Sequence, residues 1–177
     1  VYDGRRYDYF KKELINALKI VNGGNITINK MTGSWAGAMG QCQFMPSSFI
    51  NYATDWDKDG SKNIWTSKPD VFASAANYLK RVGWSNQITW GRKVFIGNYN
   101  GNTDEKKYNL LNYWASKGIL KANKDKLPNV KVNARLIIPD GYKHYGYLAY
   151  KNFDSLLNWN RSNYFAIAVG TLADSIK

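Results

Sequence analysis

The sequence predicts a mainly α, α+β fold: a helical domain carrying a small antiparallel β element. Three observations carry that prediction. Apolar residues recur at helical spacing in several stretches, each opened or closed by Pro, Gly or a capping residue. Two late regions, Lys93–Ile96 and Val130–Ile138 with Tyr145–Tyr150, alternate instead and are rich in β-branched and aromatic residues. At 177 residues the chain suits one domain with a subdomain, and a chain of that size buries about 70% of its unfolded surface.

Taken in order, Phe10, Leu14, Leu18 and Val21 predict a first helix facing the core along that stripe, stopped by Gly23-Gly24. Residues 25–45 are rich in Gly and Ser and read as loop with short turns. Pro46 suits the first position of a helix over about 46–54. Pro69 opens another, with Phe72, Ala75, Ala76 and Leu79 on one face, ending at Gly83. Thr103 would cap a helix reaching Ser116, with Gly118 as its stop, and Ser162 would cap a last helix using Phe165, Ala168, Val169 and Leu172. The expected organisation is a helical core from 1–92 and 151–177, with 93–150 as a small mixed β and helix insertion. There is no internal repeat and no low-complexity tract.

Composition narrows the function class without choosing it. Aromatic residues make up 15% of the chain, and such rings fill cores or stack on sugars and bases. The net charge of +12 favours polyanionic partners: nucleic acid, anionic lipid or a carboxylate-bearing cell wall. The basic residues are scattered, as in Lys11-Lys12, Lys106-Lys107 and Lys121 to Lys131, which reads first as a solvated surface. Cys42 is the only cysteine, so an intrachain disulfide and a Cys-based metal site are excluded. No apolar run approaches the roughly 18 residues of a membrane span, and no signal peptide pattern is present.

Gly33-Ser34-Trp35-Ala36-Gly37-Ala38-Met39-Gly40-Gln41-Cys42-Gln43-Phe44-Met45-Pro46 is the most informative segment. Its glycines mean tight turns or close backbone approach. Ser34, Gln41 and Gln43 alternate with large apolar side chains, a mixture that would bind a sugar's N-acetyl and hydroxyl groups while apolar groups pack its faces. A buried loop whose amides satisfy its own backbone fits the same residues.

With Ser47-Ser48-Phe49 following it, the segment closely resembles the signature of the membrane-bound lytic transglycosylase B family. Tyr2-Asp3-Gly4-Arg5-Arg6, Asn77-Tyr78-Leu79-Lys80, Gly83-Trp84 and Trp159-Asn160-Arg161-Ser162-Asn163-Tyr164 agree in order. The resemblance is weakest between about 97 and 145. It implies a lysozyme-like helical domain in the periplasm, acting on peptidoglycan glycan strands, monomeric, and reaching a membrane only through a lipid anchor outside this chain. It implies cleavage of the MurNAc–GlcNAc bond by attack of the muramic acid's own 6-hydroxyl, leaving 1,6-anhydromuramic ends. One Glu serves such chemistry as acid and then base, and needs an apolar pocket to stay protonated.

The chain has two glutamates. Glu13, within Lys11-Lys12-Glu13-Leu14, reads as a solvated ion pair on the first helix, and Glu105 as a carboxylate in the first turn of a helix. Neither has the Glu-Thr-or-Ser-x-x-Gly context of the family's acid, which in the family lies upstream of Tyr2-Asp3-Gly4-Arg5-Arg6. No catalytic residue is therefore assigned, and the chain is expected to be a truncated, inactive piece. By resemblance, Arg5 and Arg6 would meet the glycan or peptide-stem carboxylates, Ser34 and Gln43 the reacting sugars, and Phe44 and Tyr78 would wall the cleft. Asn160 with Tyr164 or Phe165 would close it.

Asp55-Trp56-Asp57-Lys58-Asp59-Gly60-Ser61 matches the first half of an EF-hand loop: carboxylates at positions 1, 3 and 5, Gly at 6 and a carbonyl, from Ser61, at 7. Position 12 is Thr66, so Asp70 is the expected late ligand, and the metal a structural calcium or sodium; an Asp-Gly surface turn is the alternative. No cofactor for catalysis is expected. Two other functions compete: a non-catalytic glycan-binding module, and a basic aromatic nucleic-acid binder, which lacks any recognisable motif and leaves the Gly33–Pro46 segment unexplained.

Overall fold

Gly4 and Arg6 turn the chain through φ of 71° and 54°, and α1 (Tyr7–Asn22) begins at once; the computed structural model describes Gly4 and residues 6–99, 107–140 and 143–176. Thr103 and Glu105 lie outside the described residues. Backbone contacts divide the chain into two compact units, Val1–Arg81 and Val82–Lys177.

In the first unit α1 packs on α2 (Pro46–Tyr52), and α2 on α3 (Lys68–Arg81). Pro46 takes the first helical position, as its fixed φ and missing N–H favour. Gly23 closes α1 by donating its N–H to Lys19. Between α1 and α2 the chain makes a short 3₁₀ turn, Ile28–Lys30, and a series of tight turns.

The faces differ from the expected ones. Leu14 and Leu18 of α1 are 52% and 59% exposed, while Glu13 and Ile20 are buried. Phe72 of α3 is 71% exposed, while Asp70, Val71 and Ser74 are buried. Polar anchors set both rotations. Ser47 binds the Glu13 carboxylate, Asp70 accepts the N–H groups of Trp56 and Asn63, and Ser74 Oγ accepts that of Thr54. Leaving such groups buried without partners costs about 1–3 kcal/mol each, the same order as exposing part of a Leu or Phe side chain, so several anchors together can set the face.

The second unit holds a five-stranded sheet of β1 (Gly91–Phe95), β2 (Asn109–Leu110), β3 (Leu120–Lys121), β4 (Asn133–Ile137) and β5 (Tyr145–Ala149), in the order β2-β4-β5-β1-β3. Every pairing is antiparallel, with Leu148 opposite Leu136 on one side and Arg92 on the other. The fold is thus mixed α+β and mostly helical, with the β element larger than the two expected stretches. One face buries Val94, Leu136 and Leu148 with Trp114 of α4 (Leu111–Ser116), whose Nε1 donates to Ala134 O. This helix follows β2 directly and ends at Ser116, with Gly118 at φ 80 in the turn beyond, as the sequence suggests for the stop.

The chain continues from β5 into α5 (Lys151–Trp159), a helix the sequence did not announce, and then α6 (Asn163–Ser175). No Gly or Pro separates α5 from the strand; its anchor is Asn152, fully buried and bonded to the N–H and C=O of Ser85 and the C=O of Ile88. Ser162 caps α6 through Phe165 N–H, as expected. The buried face of α6 is Ala166, Ile167 and Gly170, leaving Leu172 exposed, because Gly170 lies flat against Trp90, where any Cβ would collide with the ring. Among the described residues no helix is long and apolar enough to cross a membrane.

Candidate active site

The Gly33–Pro46 segment is built from two tight turns sharing Met39. Met39 bridges Gly33 on one side and Phe44 on the other, exchanging both N–H···O bonds with Phe44 at 2.8 and 3.1 Å. Gly40, at φ +60, lets the turn press on residue 64: a Cβ there would stand 2.6 Å from Ile64 O. Gln41 completes the attachment, its N–H donating to Ile64 O and its Nε2 to Trp65 O, both at 2.9 Å. Gln41 thus clasps the turn to residues 64 and 65 while bordering the same cavity as Gln43.

Gln43 is different. Its backbone sits at φ +50, left-handed and costly for a side chain with a Cβ. Its Nε2 donates to Gly40 O at 2.9 Å, which leaves the amide oxygen as an acceptor. Ser34 Oγ accepts the N–H of Ala38 at 3.1 Å, which leaves its own proton to donate. Both residues line one cavity of about 920 Å³, with Asn25, Lys30, Thr32 and Trp65. The first three were not singled out in the sequence, where isolated polar residues in a Gly-rich loop carry no periodic signal. Trp65 follows the acidic loop and is tied by its Nε1 to Thr32 O.

Thr32, Gly33 and Ser34 also border a second cavity, of about 840 Å³, lined by Arg6, Glu13 and Trp35 among others. Arg6 holds its guanidinium 4.4 Å from the ring centre of Tyr9; Arg5 lies outside the described residues. Glu13 is not the solvated ion pair expected. It is 6% exposed, and its oxygens take the Ser47 hydroxyl at 2.6 Å and N–H at 2.8 Å. Met45, the N-cap of α2, has no side-chain hydrogen bond to give, so Glu13 caps that helix from α1.

Phe44, expected on the cleft wall, is 3% exposed and lines neither cavity. It supports the segment from beneath by packing on Tyr78 at 5.7 Å, and Tyr78 meets Tyr52 edge-on at 4.8 Å. Burial, then the neighbouring Tyr52, pushes the Tyr78 hydroxyl above its ordinary pKa, so it stays a neutral phenol. Cys42 donates its thiol to Val71 O at 3.4 Å, and burial pushes it up to about 11. In the second unit Asn160 is exposed at the end of α5, Tyr164 accepts the N–H of Asp140 on its hydroxyl, and Phe165 is half-buried in the first turn of α6.

Asp55, Asp57 and Asp59 bring one carboxylate oxygen each within 4.8 Å of one another. Asp55 Oδ2 accepts the N–H of Gly60, while its Oδ1 is buried without a hydrogen-bond partner. That orphaned oxygen fits a cation ligand. Asp70, the expected late ligand, is fully buried and accepts the N–H of Trp56 on one oxygen at 2.7 Å and that of Asn63 on the other at 2.8 Å. It thereby braces the two ends of the loop.

The family model of the transglycosylase SLT domain matches residues 1–174. The chain belongs to the transglycosylase SLT domain family. The SLT domain is 33% identical to membrane-bound lytic murein transglycosylase B of Escherichia coli K12, over 97% of this chain and 47% of that protein. It superposes on SltB3 from Pseudomonas aeruginosa in complex with NAG-anhNAM-pentapeptide with a TM-score of 0.91 and 39% identity, over 98% of this chain and 48% of that one. The Escherichia coli lytic transglycosylase SLT35 in complex with calcium matches with a TM-score of 0.80 and 31% identity, over 97% and 54%. The SLT domain therefore spans about half the length of these relatives.

Proposed function

We propose that this SLT domain holds peptidoglycan glycan strands in the cleft walled by Gly33–Pro46 and acts within a periplasmic lytic transglycosylase. The observation that carries the reading is the pair Ser34 and Gln43: one free donor and one free acceptor facing the same cavity. They suit the hydroxyl and N-acetyl groups of a sugar, and a relative of 39% identity is solved with a NAG-anhNAM-pentapeptide. Arg6, with Arg5 before it, would take the carboxylates of the glycan's peptide stems. Tyr78 is also assigned to substrate, and so, within the second unit, are Asn160 and either Tyr164 or Phe165.

The reaction proposed is cleavage of the MurNAc–GlcNAc bond. The MurNAc 6-hydroxyl forms a new bond to its own C1, the bond from C1 to the GlcNAc oxygen breaks, and an acid protonates that leaving oxygen. The same group, now a carboxylate, accepts the 6-hydroxyl proton. Glu13 is a poor candidate for that acid, because both of its oxygens already serve Ser47. We therefore place the acid outside this chain's cleft residues and give the chain the task of binding and orienting the strand.

The acidic loop would hold calcium through Asp55, Asp57 and Asp59 with the Ser61 carbonyl. Its contribution is structural: it neutralises three crowded carboxylates next to the wall formed by Asn63, Trp65 and Thr66.

Digestion of purified peptidoglycan, read by mass spectrometry, tests the reading with this chain beside the full-length protein. Anhydromuropeptides from the full-length protein alone are the expected result. Their release by the 177-residue chain would overturn the placement of the acid. Retention on insoluble peptidoglycan without any release by either protein would favour the second reading, a non-catalytic glycan-binding module, which the engagement of Glu13 also supports.

A further inference from the structure

Trp35 is the most exposed large hydrophobic side chain among the described residues, with its whole indole in water. Its loop, by contrast, is tightly held. Ser34 N–H donates to Ala38 O at 2.7 Å, Gly37 N–H to Ser34 O at 2.9 Å, and Ala38 N–H to Ser34 Oγ at 3.1 Å. Gly37 makes the turn at φ +88, a conformation that suits glycine. A ring with no partner of its own thus stands on a backbone that is fixed before anything binds.

Its position is equally specific. Trp35 borders the second cavity, and its neighbour Ser34 borders both. The same cavity offers Arg6 as a donor and Met31, Ala36 and Met45 as apolar wall. A polar group that orients and a rigid aromatic face that stacks are the two parts from which carbohydrate sites are made. A pyranose presents a C–H face to an indole and keeps its equatorial hydroxyls free for donors and acceptors at the ring edge.

We propose that Trp35 is a stacking platform for a pyranose ring of the bound glycan, a positioning residue that sets the register of the strand relative to Ser34. The proposal rests on the glycan-binding reading of the cleft and assigns it one more subsite. Because the loop is pre-organised, little ordering accompanies binding, and the stacked area goes into affinity. Stacking has no hydrogen-bond geometry to satisfy, so another flat ring at position 35 would serve nearly as well.

The test is titration with chitohexaose, an uncharged N-acetylglucosamine hexamer, followed by calorimetry and tryptophan fluorescence. Trp35→Ala is expected to bind about tenfold more weakly, a difference of about 1.4 kcal/mol. Trp35→Phe should stay within about threefold of the parent, about 0.65 kcal/mol, while losing most of the fluorescence change. Phe72→Ala, which removes another exposed ring, on α3, should bind as the parent does. Unchanged affinity in Trp35→Ala would overturn the proposal and leave the cleft reading intact. Weak binding in both Trp35 variants together with a lowered Tm would overturn it in favour of a structural ring. No binding of chitohexaose or of peptidoglycan by the parent chain would overturn both readings.

Discussion

Glu13 on α1 and Ser47 on α2 are joined by two hydrogen bonds, the hydroxyl to Oε1 at 2.6 Å and the N–H to Oε2 at 2.8 Å. The pair spans 34 residues of sequence and fastens the first helix to the end of the cleft segment. It makes the buried glutamate a helix cap and turns Leu14 and Leu18 outward.

Removing that cap should cost stability. Glu13→Ala leaves Ser47 N–H unsatisfied in a half-buried place and is expected to lose about 1–3 kcal/mol in urea denaturation. Glu13→Gln, which keeps one acceptor, should lose less. In the full-length protein Glu13→Gln should lower Tm yet still release anhydromuropeptides at a rate within about threefold of the parent, a ratio worth about 0.65 kcal/mol of barrier. A loss of a thousandfold or more would mean that Glu13 takes part in the chemistry.

Gln43 stores strain at the edge of the larger cavity. Glycine at that position relieves a left-handed backbone worth about 1–2 kcal/mol and loses a hydrogen bond of similar net value. Gln43→Gly should therefore unfold within about 1 kcal/mol of the parent, while binding chitohexaose distinctly more weakly. Parallel loss of Tm and affinity would contradict a side chain retained for ligand contact.

Calcium should act through the loop at Asp55, Asp57 and Asp59. Saturation to about a hundred times Kd would add about 2.7 kcal/mol, or roughly 5–10 °C in Tm for a chain of this size. Chelator should remove the gain, and Asp55→Asn should abolish most of it. Because Asn63, Trp65 and Thr66 border the larger cavity, chelation should also weaken glycan binding. An equal Tm with calcium and with chelator would remove the metal from the account.

Cys42 provides a pH test. Burial raises its thiol from the ordinary 9.0 to about 11, so the folded state favours the protonated form more than the unfolded chain does. The resulting stability is fully present below about pH 9 and is lost as pH rises through about 11. Iodoacetamide at pH 8 should leave the native thiol unmodified and label it in urea; rapid native labelling would refute its burial.

What the sequence determined by itself is local. The turn chemistry and amide pattern of Gly33–Pro46, the Asp spacing of 55–59, Pro46 at a helix start and Ser162 at a helix cap all act over a few residues, where composition and spacing suffice. The tertiary structure decided what depends on distant partners. Gln41 and Gln43 look alike in sequence, and only the structure shows that both border the cavity, with the Gln41 amide tied to the distant carbonyl of Trp65 and the Gln43 amide to the nearby one of Gly40. Asp70 reads in sequence only as a late carboxylate, and the structure adds that it receives the N–H groups of Trp56 and Asn63. The rotations of α1, α3 and α6 escaped the apolar pattern for the same reason: each is set by a buried polar or steric contact with a partner outside the helix.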